Sequence, residues 1–164
     1  MYGAGAFRLS QELSIPRKEA SFIISKYFEQ FPGIKGYIND TIDSARINKY
    51  VETIFGRKRS IWDIDSENSI RKKAAERMAI NMPIQGSAAE MIKVAMIAIQ
   101  EELTKNVMKS KMILQIHDEL IFECPQGEED ILVNLVVGKM ENAMKLSVPV
   151  VVDYGLGHSW LEAH

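Results

Sequence analysis

Three consecutive titratable residues, His117, Asp118 and Glu119, interrupt the otherwise apolar stretch MILQIHDELIFE at residues 112–123. An unpaired carboxylate is so costly to bury that it normally takes up a proton or binds a cation. The three residues therefore need either an exposed turn or a bound partner. Carboxylate oxygens suit Mg²⁺, which binds one or two carboxylates and completes its shell with water and phosphate. Asp118 and Glu119 are candidate metal ligands, and an ordinary charged turn is the alternative interpretation.

The second group of candidate residues is Arg77, Asn81 and Gln85, which are spaced by four. On one helix this spacing stacks side chains on the same face, although a kink at Pro83 would move Gln85 slightly off that line. All three side chains carry hydrogen-bond donors. Every base pair presents an N3 or O2 acceptor in the minor groove, so a row of donors could follow a duplex and ignore its sequence. Taken singly, each is more often a surface residue or a polar group at a helix end.

The chain has 164 residues, of which 46% are hydrophobic and 26% charged, and its formal net charge is −2. These values are ordinary for a folded domain, and the net charge creates no field that would favour nucleic acid or membrane. The single cysteine, Cys124, excludes an internal disulfide framework. The N-terminus does not resemble a signal peptide, and the most apolar long stretch, 91–99, contains Lys93 and is too short to span a bilayer. We therefore expect a cytoplasmic protein.

Charge is distributed unevenly along the chain. Residues 57–77 contain seven basic and four acidic side chains, whereas residues 118–130 contain six acids and neither lysine nor arginine. The first region could face an anion and the second could hold cations. Solvated surface charge is the alternative interpretation of both.

Apolar periodicity predicts helices in the first third of the chain. One helix should start within Ser14–Glu19 and end at Pro32, and a second should follow over 34–49. The alternating segment Tyr50–Phe55 then predicts a short strand that Gly56 stops.

The long helical signal that follows contains Pro83, which predicts a division into helices over 69–82 and 87–104. Ser87 and Glu90 have the spacing of a capping box and would open the second of these helices. The rest of the chain predicts an antiparallel hairpin, a helix and a strand, over Met112–Ile116 with Leu120–Glu123, about Glu128–Leu146, and Val148–Tyr154. This order predicts a mixed α/β (α+β) fold with mostly antiparallel pairing.

Ordered blocks along the whole chain resemble the polymerase module of the family A DNA polymerases. The matching blocks are YGAGAF, IPRKEA, YFEQFPGI, YVETIFGRKR, AAERMAINMPIQGSAAEMIK, LQIHDELIFE and WLEAH. Two of these blocks are the most specific, because long motifs in order rarely agree by chance. AAERMAINMPIQGSAAEMIK contains Arg77, Asn81 and Gln85, and LQIHDELIFE contains His117, Asp118 and Glu119.

The resemblance implies a role for each candidate residue. Asp118 would be a catalytic aspartate that binds both Mg²⁺ ions of the complete enzyme, and Glu119 would be the neighbouring, less important acid. His117 would lie near the primer terminus and contact DNA. Tyr2 and Gly3 resemble the end of the motif at the floor of the nucleotide pocket.

Arg77, Asn81 and Gln85 fall on family positions that contact the minor groove of the primer–template. Residues 1–80 would be the C-terminal part of the helical fingers, and residues 81–164 the palm portion with the catalytic hairpin and a C-terminal strand. The implied partners are a DNA primer–template and a dNTP, without a membrane.

The family's motif A and most of its motif B have no counterpart in the chain, so the resemblance implies an incomplete polymerase module that lacks its N-terminal part. The isolated chain should then be inactive. One alternative is a non-catalytic fragment that binds nucleic acid. Another is a metal-dependent phosphohydrolase built on His117 and Asp118, a chemistry that usually needs more histidines than the remaining His158 and His164.

Overall fold

The computed structural model describes residues 5–163, which fall into two compact units, Met1–Ser87 and Ala88–His164. The first unit contains three helices, a β-hairpin and a 3-10 helix: α1 (Ala6–Glu12), α2 (Arg17–Gln30), α3 (Pro32–Asn48), β1 (Tyr50–Glu52), β2 (Lys58–Ser60) and Trp62–Asp65. Helix α4 (Ser69–Lys105) begins in the first unit and ends in the second. The second unit continues with β3 (Lys111–Ile116), β4 (Glu119–Glu123), α5 (Glu129–Glu141) and α6 (Trp160–Ala163). Of the helices in the described part, none has the length and apolarity needed to cross a membrane.

Two prolines mark helix starts in the first unit, and the sequence predicted this role for Pro16, whereas Pro32 was predicted to end the preceding helix. Pro16 precedes the first residue of α2, and Pro32 occupies the first turn of α3, where a missing N–H costs nothing. Helix α3 ends at Lys49, which adopts a left-handed conformation with φ of 64° and donates its N–H to the Ala45 carbonyl at 2.9 Å. The two helices predicted for this region are confirmed.

A small apolar core holds the first unit together. Its buried members come from α3, β1, the segment around the 3-10 helix, and α4: Ala45, Val51, Ile61, Ile64, Ala75 and Ala79. The Arg46 guanidinium adds an ion pair to Glu76 of α4 at 2.9 Å. Alanines at three of these positions let neighbouring backbones approach closely.

The strand predicted over Tyr50–Phe55 is shorter than expected and pairs with a strand that the sequence did not reveal. β1 and β2 are antiparallel, with Glu52 opposite Lys58, and Gly56 lies in the connection with a positive φ of 81°. All residues of β2 are exposed. Such a strand has no apolar alternation, which is the signal that identifies strands in a sequence.

The predicted break at Pro83 is wrong, because α4 is one helix of 37 residues with this proline inside it. The predicted capping box is also wrong: Ser87 and Glu90 are buried residues within the helix. The hydroxyl of Ser87 donates to the Pro83 carbonyl, and the hydroxyl of Tyr37 donates to the Ile80 carbonyl at 3.1 Å. These side-chain hydrogen bonds hold the helix backbone on both sides of the interruption, and α4 continues through the proline.

The second unit contains the predicted antiparallel hairpin. In β3 and β4, Lys111 lies opposite Glu123 and Ile116 opposite Glu119, with a bulge between Met112 and Leu114. A second apolar core forms from the C-terminal half of α4, one face of the hairpin, and α5; its buried members are Ala95, Ile99, Leu103 and Leu132.

The C-terminal part of the second unit departs from prediction at two points. Helix α5 ends at Glu141 rather than near residue 146. The strand predicted over Val148–Tyr154 is absent, because a strand needs a ladder partner and no described segment pairs with these residues. Pro149 has no N–H to donate, and the Val152 N–H contacts the Glu141 carboxylate at 3.4 Å instead.

The mixed helical and antiparallel fold class is confirmed. The two compact units divide after Ser87. The division into a fingers portion over 1–80 and a palm portion over 81–164 stays a prediction.

Candidate active site and nucleic-acid face

The hairpin between β3 and β4 closes with a two-residue turn at His117 and Asp118, because Ile116 and Glu119 are paired directly. His117 has a φ of 53°, in the left-handed region that residues other than glycine seldom enter, although histidine does so more often than most. This conformation costs about 1–2 kcal/mol. The Gln115 side chain stabilises the turn, since its Nε2 donates to the His117 carbonyl at 2.9 Å.

The turn explains how three titratable residues fit between apolar strands. His117 and Asp118 are exposed, and Glu119 is half-buried at the first position of β4. The hairpin thus carries the carboxylate of Asp118 at its tip in contact with solvent. Because the turn is exposed, water can solvate the adjacent carboxylates, and no unpaired charge has to be buried in the core.

The carboxylates of Asp118 and Glu119 match Mg²⁺ in donor type but form only part of a coordination shell. Within residues 5–163, no group of three or more His, Cys, Asp and Glu side chains is close enough to hold a metal ion. Mg²⁺ usually takes only one or two carboxylates from a protein and the rest of its ligands from water and phosphate. The pair therefore fits an ion that arrives with a phosphate-bearing substrate better than a permanent, all-protein site.

The body of the hairpin is anchored on the second apolar core. Met112 of β3 and Leu120 and Phe122 of β4 contact this core, where Ile99 of α4 is fully buried. The anchored face fixes the strand register, because a shift of one residue would turn these side chains to solvent. The position of Asp118 at the tip follows from that register.

The base of the hairpin is tied to the residue that precedes α5. The Glu128 carboxylate accepts hydrogen bonds from the Ser110 hydroxyl at 2.6 Å, the Ser110 N–H at 2.9 Å and the Lys109 N–H at 3.1 Å. These bonds, with the Ser110 hydroxyl the largest contributor, lower the pKa of Glu128. The anionic form of Glu128 thus favours the connection between α4 and β3 in its observed conformation.

The second group of candidates lies in the first unit, on the part of α4 that contains Pro83. Arg77 and Gln85 are exposed and Asn81 is half-buried. Because α4 does not end at Pro83, the spacing of four applies to one helix and places the three side chains along one face.

Asn81 is not a simple solvated surface residue. Its Oδ1 atom is buried and has no hydrogen-bond partner among residues 5–163. Buried polar atoms are nearly always paired, so an exception requires an explanation. The observation distinguishes Asn81 from the exposed Arg77 and Gln85.

Tyr2 and Gly3, predicted for the nucleotide pocket, lie outside the described residues. Of the predicted site residues, the structure brings together His117, Asp118 and Glu119 in the second unit and aligns the other three on α4 in the first. The sequence did not identify Tyr37 or assign a tertiary role to Ser87, since Pro83 predicted a break in the helix and not a contact that holds it.

An exposed acidic turn can bind a divalent ion, and a helix face of hydrogen-bond donors can contact minor-groove acceptors. The family model "DNA polymerase family A" matches residues 1–162. The chain therefore belongs to DNA polymerase family A, which confirms the family predicted from the sequence motifs.

Individual relatives agree with this assignment. The chain is 48% identical over 162 residues to DNA polymerase I of Caldicellulosiruptor bescii, covering 99% of the chain and 19% of that protein. It is 45% identical over 163 residues to DNA polymerase I of Bacillus subtilis, covering 99% of the chain and 18% of the relative. The chain thus spans about a fifth of the length of these relatives.

Among solved structures, the chain is similar to the POL domain of Pol1 from M. smegmatis, in a complex with DNA primer-template and dNTP. The TM-score is 0.95 at 44% sequence identity, and the match covers 99% of this chain and 29% of that one.

Proposed function

We propose that this chain works as the C-terminal part of a longer DNA-directed DNA polymerase that extends a primer with dNTPs and requires Mg²⁺. The observation that carries the proposal is Asp118, an exposed carboxylate at a strained hairpin tip in a chain that matches the family over nearly its whole length. The M. smegmatis relative is described with DNA primer-template and dNTP, which supports the same partners for this chain.

In the proposed reaction, the primer 3′-hydroxyl oxygen forms a bond to the α-phosphorus of the dNTP. The bond between that phosphorus and the oxygen bridging to the β-phosphate breaks, and pyrophosphate leaves. Mg²⁺ would supply charge stabilisation at the attacking and leaving oxygens. Asp118 would hold the metal, with Glu119 beside it, and the rest of the two-ion site would come from other parts of the polymerase.

The remaining candidate residues would bind and orient DNA. Arg77, Asn81 and Gln85 would donate hydrogen bonds to minor-groove acceptors of the primer–template, which lie in similar places for all correct base pairs. His117 would contact DNA close to the primer terminus, next to the metal ligand. Positioning of this kind, together with charge neutralisation, supplies most of the catalysis in phosphoryl transfer.

The test is the substitution Asp118→Asn in the full-length polymerase. It preserves the shape of the turn and removes the charge that would hold the ion, so we expect a loss of about 3–5 kcal/mol in transition-state stabilisation, or roughly 10²–10⁴ in rate. Affinity for primer–template should change little. Asp130→Asn is the matched control, because Asp130 is an exposed aspartate of the same unit that lies in the first turn of α5, away from the hairpin tip.

The proposal would be contradicted by an Asp118→Asn enzyme that keeps activity within about tenfold of the parent, which is less than 1.4 kcal/mol. The turn would then be an ordinary charged hairpin. A non-catalytic nucleic-acid-binding role is the second candidate for the isolated chain, because Arg77, Asn81 and Gln85 lie along one face of α4 whether or not the acidic turn holds a metal.

A further inference from the structure

The donor face of α4 contains a structural weakness between two of its three candidate residues. Pro83 lies between Asn81 and Gln85, inside the helix. Proline has no N–H for the helical ladder, and its ring pushes against the carbonyl of the residue four positions earlier. The direction of the side chains around Pro83 is therefore not fixed by the hydrogen bonds of the helix alone.

Two hydroxyl groups contact the helix backbone on either side of this weakness. The Tyr37 hydroxyl, from α3, donates to the carbonyl of Ile80 at 3.1 Å, immediately before Asn81. The Ser87 hydroxyl donates to the Pro83 carbonyl and accepts the Ile54 N–H at 3.0 Å, immediately after β1. The backbone around Pro83 is thus held from α3 on one side and from the β1–β2 connection on the other.

The contact with the β1–β2 connection is unusually close. A Cβ atom on Gly86 would lie 2.6 Å from Cγ2 of Thr53, so only glycine allows the two segments to approach this far. Thr53 and Ser87 are both buried, which excludes water as a simple replacement for their contacts. Gln85 directly precedes this contact in the chain.

We infer that Tyr37 and Ser87 are positioning residues that fix Asn81 and Gln85 in the direction required to read the minor groove. Neither hydroxyl needs to touch DNA. Each selects one conformation of a proline-containing helix, and small displacements of groups that orient a substrate reduce rates strongly. The inference rests on the proposed minor-groove role, and it names two residues outside the donor face on which that role depends.

The experiment uses Tyr37→Phe and Ser87→Ala in the full-length polymerase. Each substitution removes one hydroxyl and preserves the rest of the side chain. The matched controls are Tyr50→Phe and Ser44→Ala, whose hydroxyls accept hydrogen bonds from the side chains of Lys58 at 3.2 Å and Asn48 at 3.1 Å, both of which lie outside α4. Single-nucleotide extension is measured on matched and mismatched primer termini, together with the melting temperature of each variant.

We expect each test variant to lower extension from matched termini by about two- to tenfold, the effect of one lost neutral hydrogen bond. Mismatched termini, which have already lost the regular acceptor positions, should be affected less. The triple variant Tyr37→Phe/Asn81→Ala/Gln85→Ala should extend matched termini no more slowly than Asn81→Ala/Gln85→Ala, because residues that act through one another are not additive.

The outcomes separate this inference from the proposed function. If Gln85→Ala lowers matched extension preferentially while Tyr37→Phe and Ser87→Ala affect both termini equally or not at all, the positioning role is refuted and the minor-groove role stands. If Gln85→Ala itself shows no preference, the minor-groove role fails and the inference fails with it. Should Tyr37→Phe prevent folding, Ser87→Ala decides the question, because it contacts the helix independently.

Discussion

Replacing Gly86 by alanine tests whether the close approach of Thr53 to α4 is a real constraint on the fold. Two effects of opposite sign act at this position. Alanine is more favourable than glycine in a helix interior by about 1 kcal/mol. Against this, the new Cβ would lie 2.6 Å from Thr53 Cγ2, a separation that carbon atoms cannot keep without a shift of one segment.

Thr53 is poorly placed to make that shift. Its side chain is 4% exposed, its Oγ1 accepts the Arg57 N–H at 3.1 Å, and its own N–H donates to the Arg57 carbonyl at 3.0 Å. Overpacking of a well-filled interior costs about 1–3 kcal/mol. With the helix gain subtracted, we expect Gly86→Ala to lower the free energy of unfolding by about 0–2 kcal/mol, instead of raising it as alanine does at an open helix position.

The assay is urea denaturation of the 164-residue chain followed by circular dichroism. Gly36→Ala is the matched control: Gly36 lies inside α3 of the same unit, and an added Cβ there would have no heavy atom within 4 Å. This control should gain about 0.5–1 kcal/mol. Adding Thr53→Ser to Gly86→Ala removes the clashing Cγ2, keeps the hydroxyl, and should recover most of the loss. A Gly86→Ala chain as stable as Gly36→Ala would refute the reasoning, as would a double variant that recovers nothing.

The remaining predictions concern activity and acid stability. The purified 164-residue chain should not incorporate deoxynucleotides on a primer–template with Mg²⁺, because Asp118 and Glu119 alone cannot complete a two-metal site; robust incorporation would show that the chain is sufficient. The pKa of Glu128 lies below its ordinary value of 4.5, so its stabilising effect is present above that value and is lost as the pH falls through the lowered pKa. As the pH is lowered, the free energy of unfolding should therefore fall more steeply for the parent chain than for Glu128→Gln. The control is Glu123→Gln, which replaces an exposed acid of β4 and should follow the parent. Identical curves for all three would contradict the role of the Glu128 hydrogen bonds.

The sequence predicted the hairpin well because its two strands show the apolar pattern of a half-buried pair and because a charged turn separates them. It did not predict that His117 would adopt a left-handed conformation, since glycine or asparagine normally occupies such a position. The strand β2 was missed for the opposite reason: its residues are all exposed, and only its partner β1 defines it. Local patterns report burial, and they say little about a segment whose structure comes from pairing alone.

The error at Pro83 has a different physical origin. Proline inside a helix is unfavourable locally, so a break was the correct expectation from neighbouring residues. The Tyr37 hydroxyl that bonds the helix lies 43 positions before its acceptor residue, Ile80, and a sequence pattern cannot show that contact. Ser87 and Glu90 have the spacing of a helix start, but tertiary burial overrides that local preference.

The two groups of candidate residues share one property: each lies next to a backbone conformation that its local sequence disfavours. The His117 turn precedes Asp118, and Pro83 separates Asn81 from Gln85. In both places a side chain offsets the cost, Gln115 at the turn and Tyr37 at the helix. Sites that break a local rule and receive such support are expected where function, rather than stability, determines the residue. Asp130 and Glu123 have the same charge as Asp118 but lie on a helix and a strand. Negative charge alone therefore does not distinguish Asp118. The proposed metal site depends on the position of Asp118 at the hairpin tip.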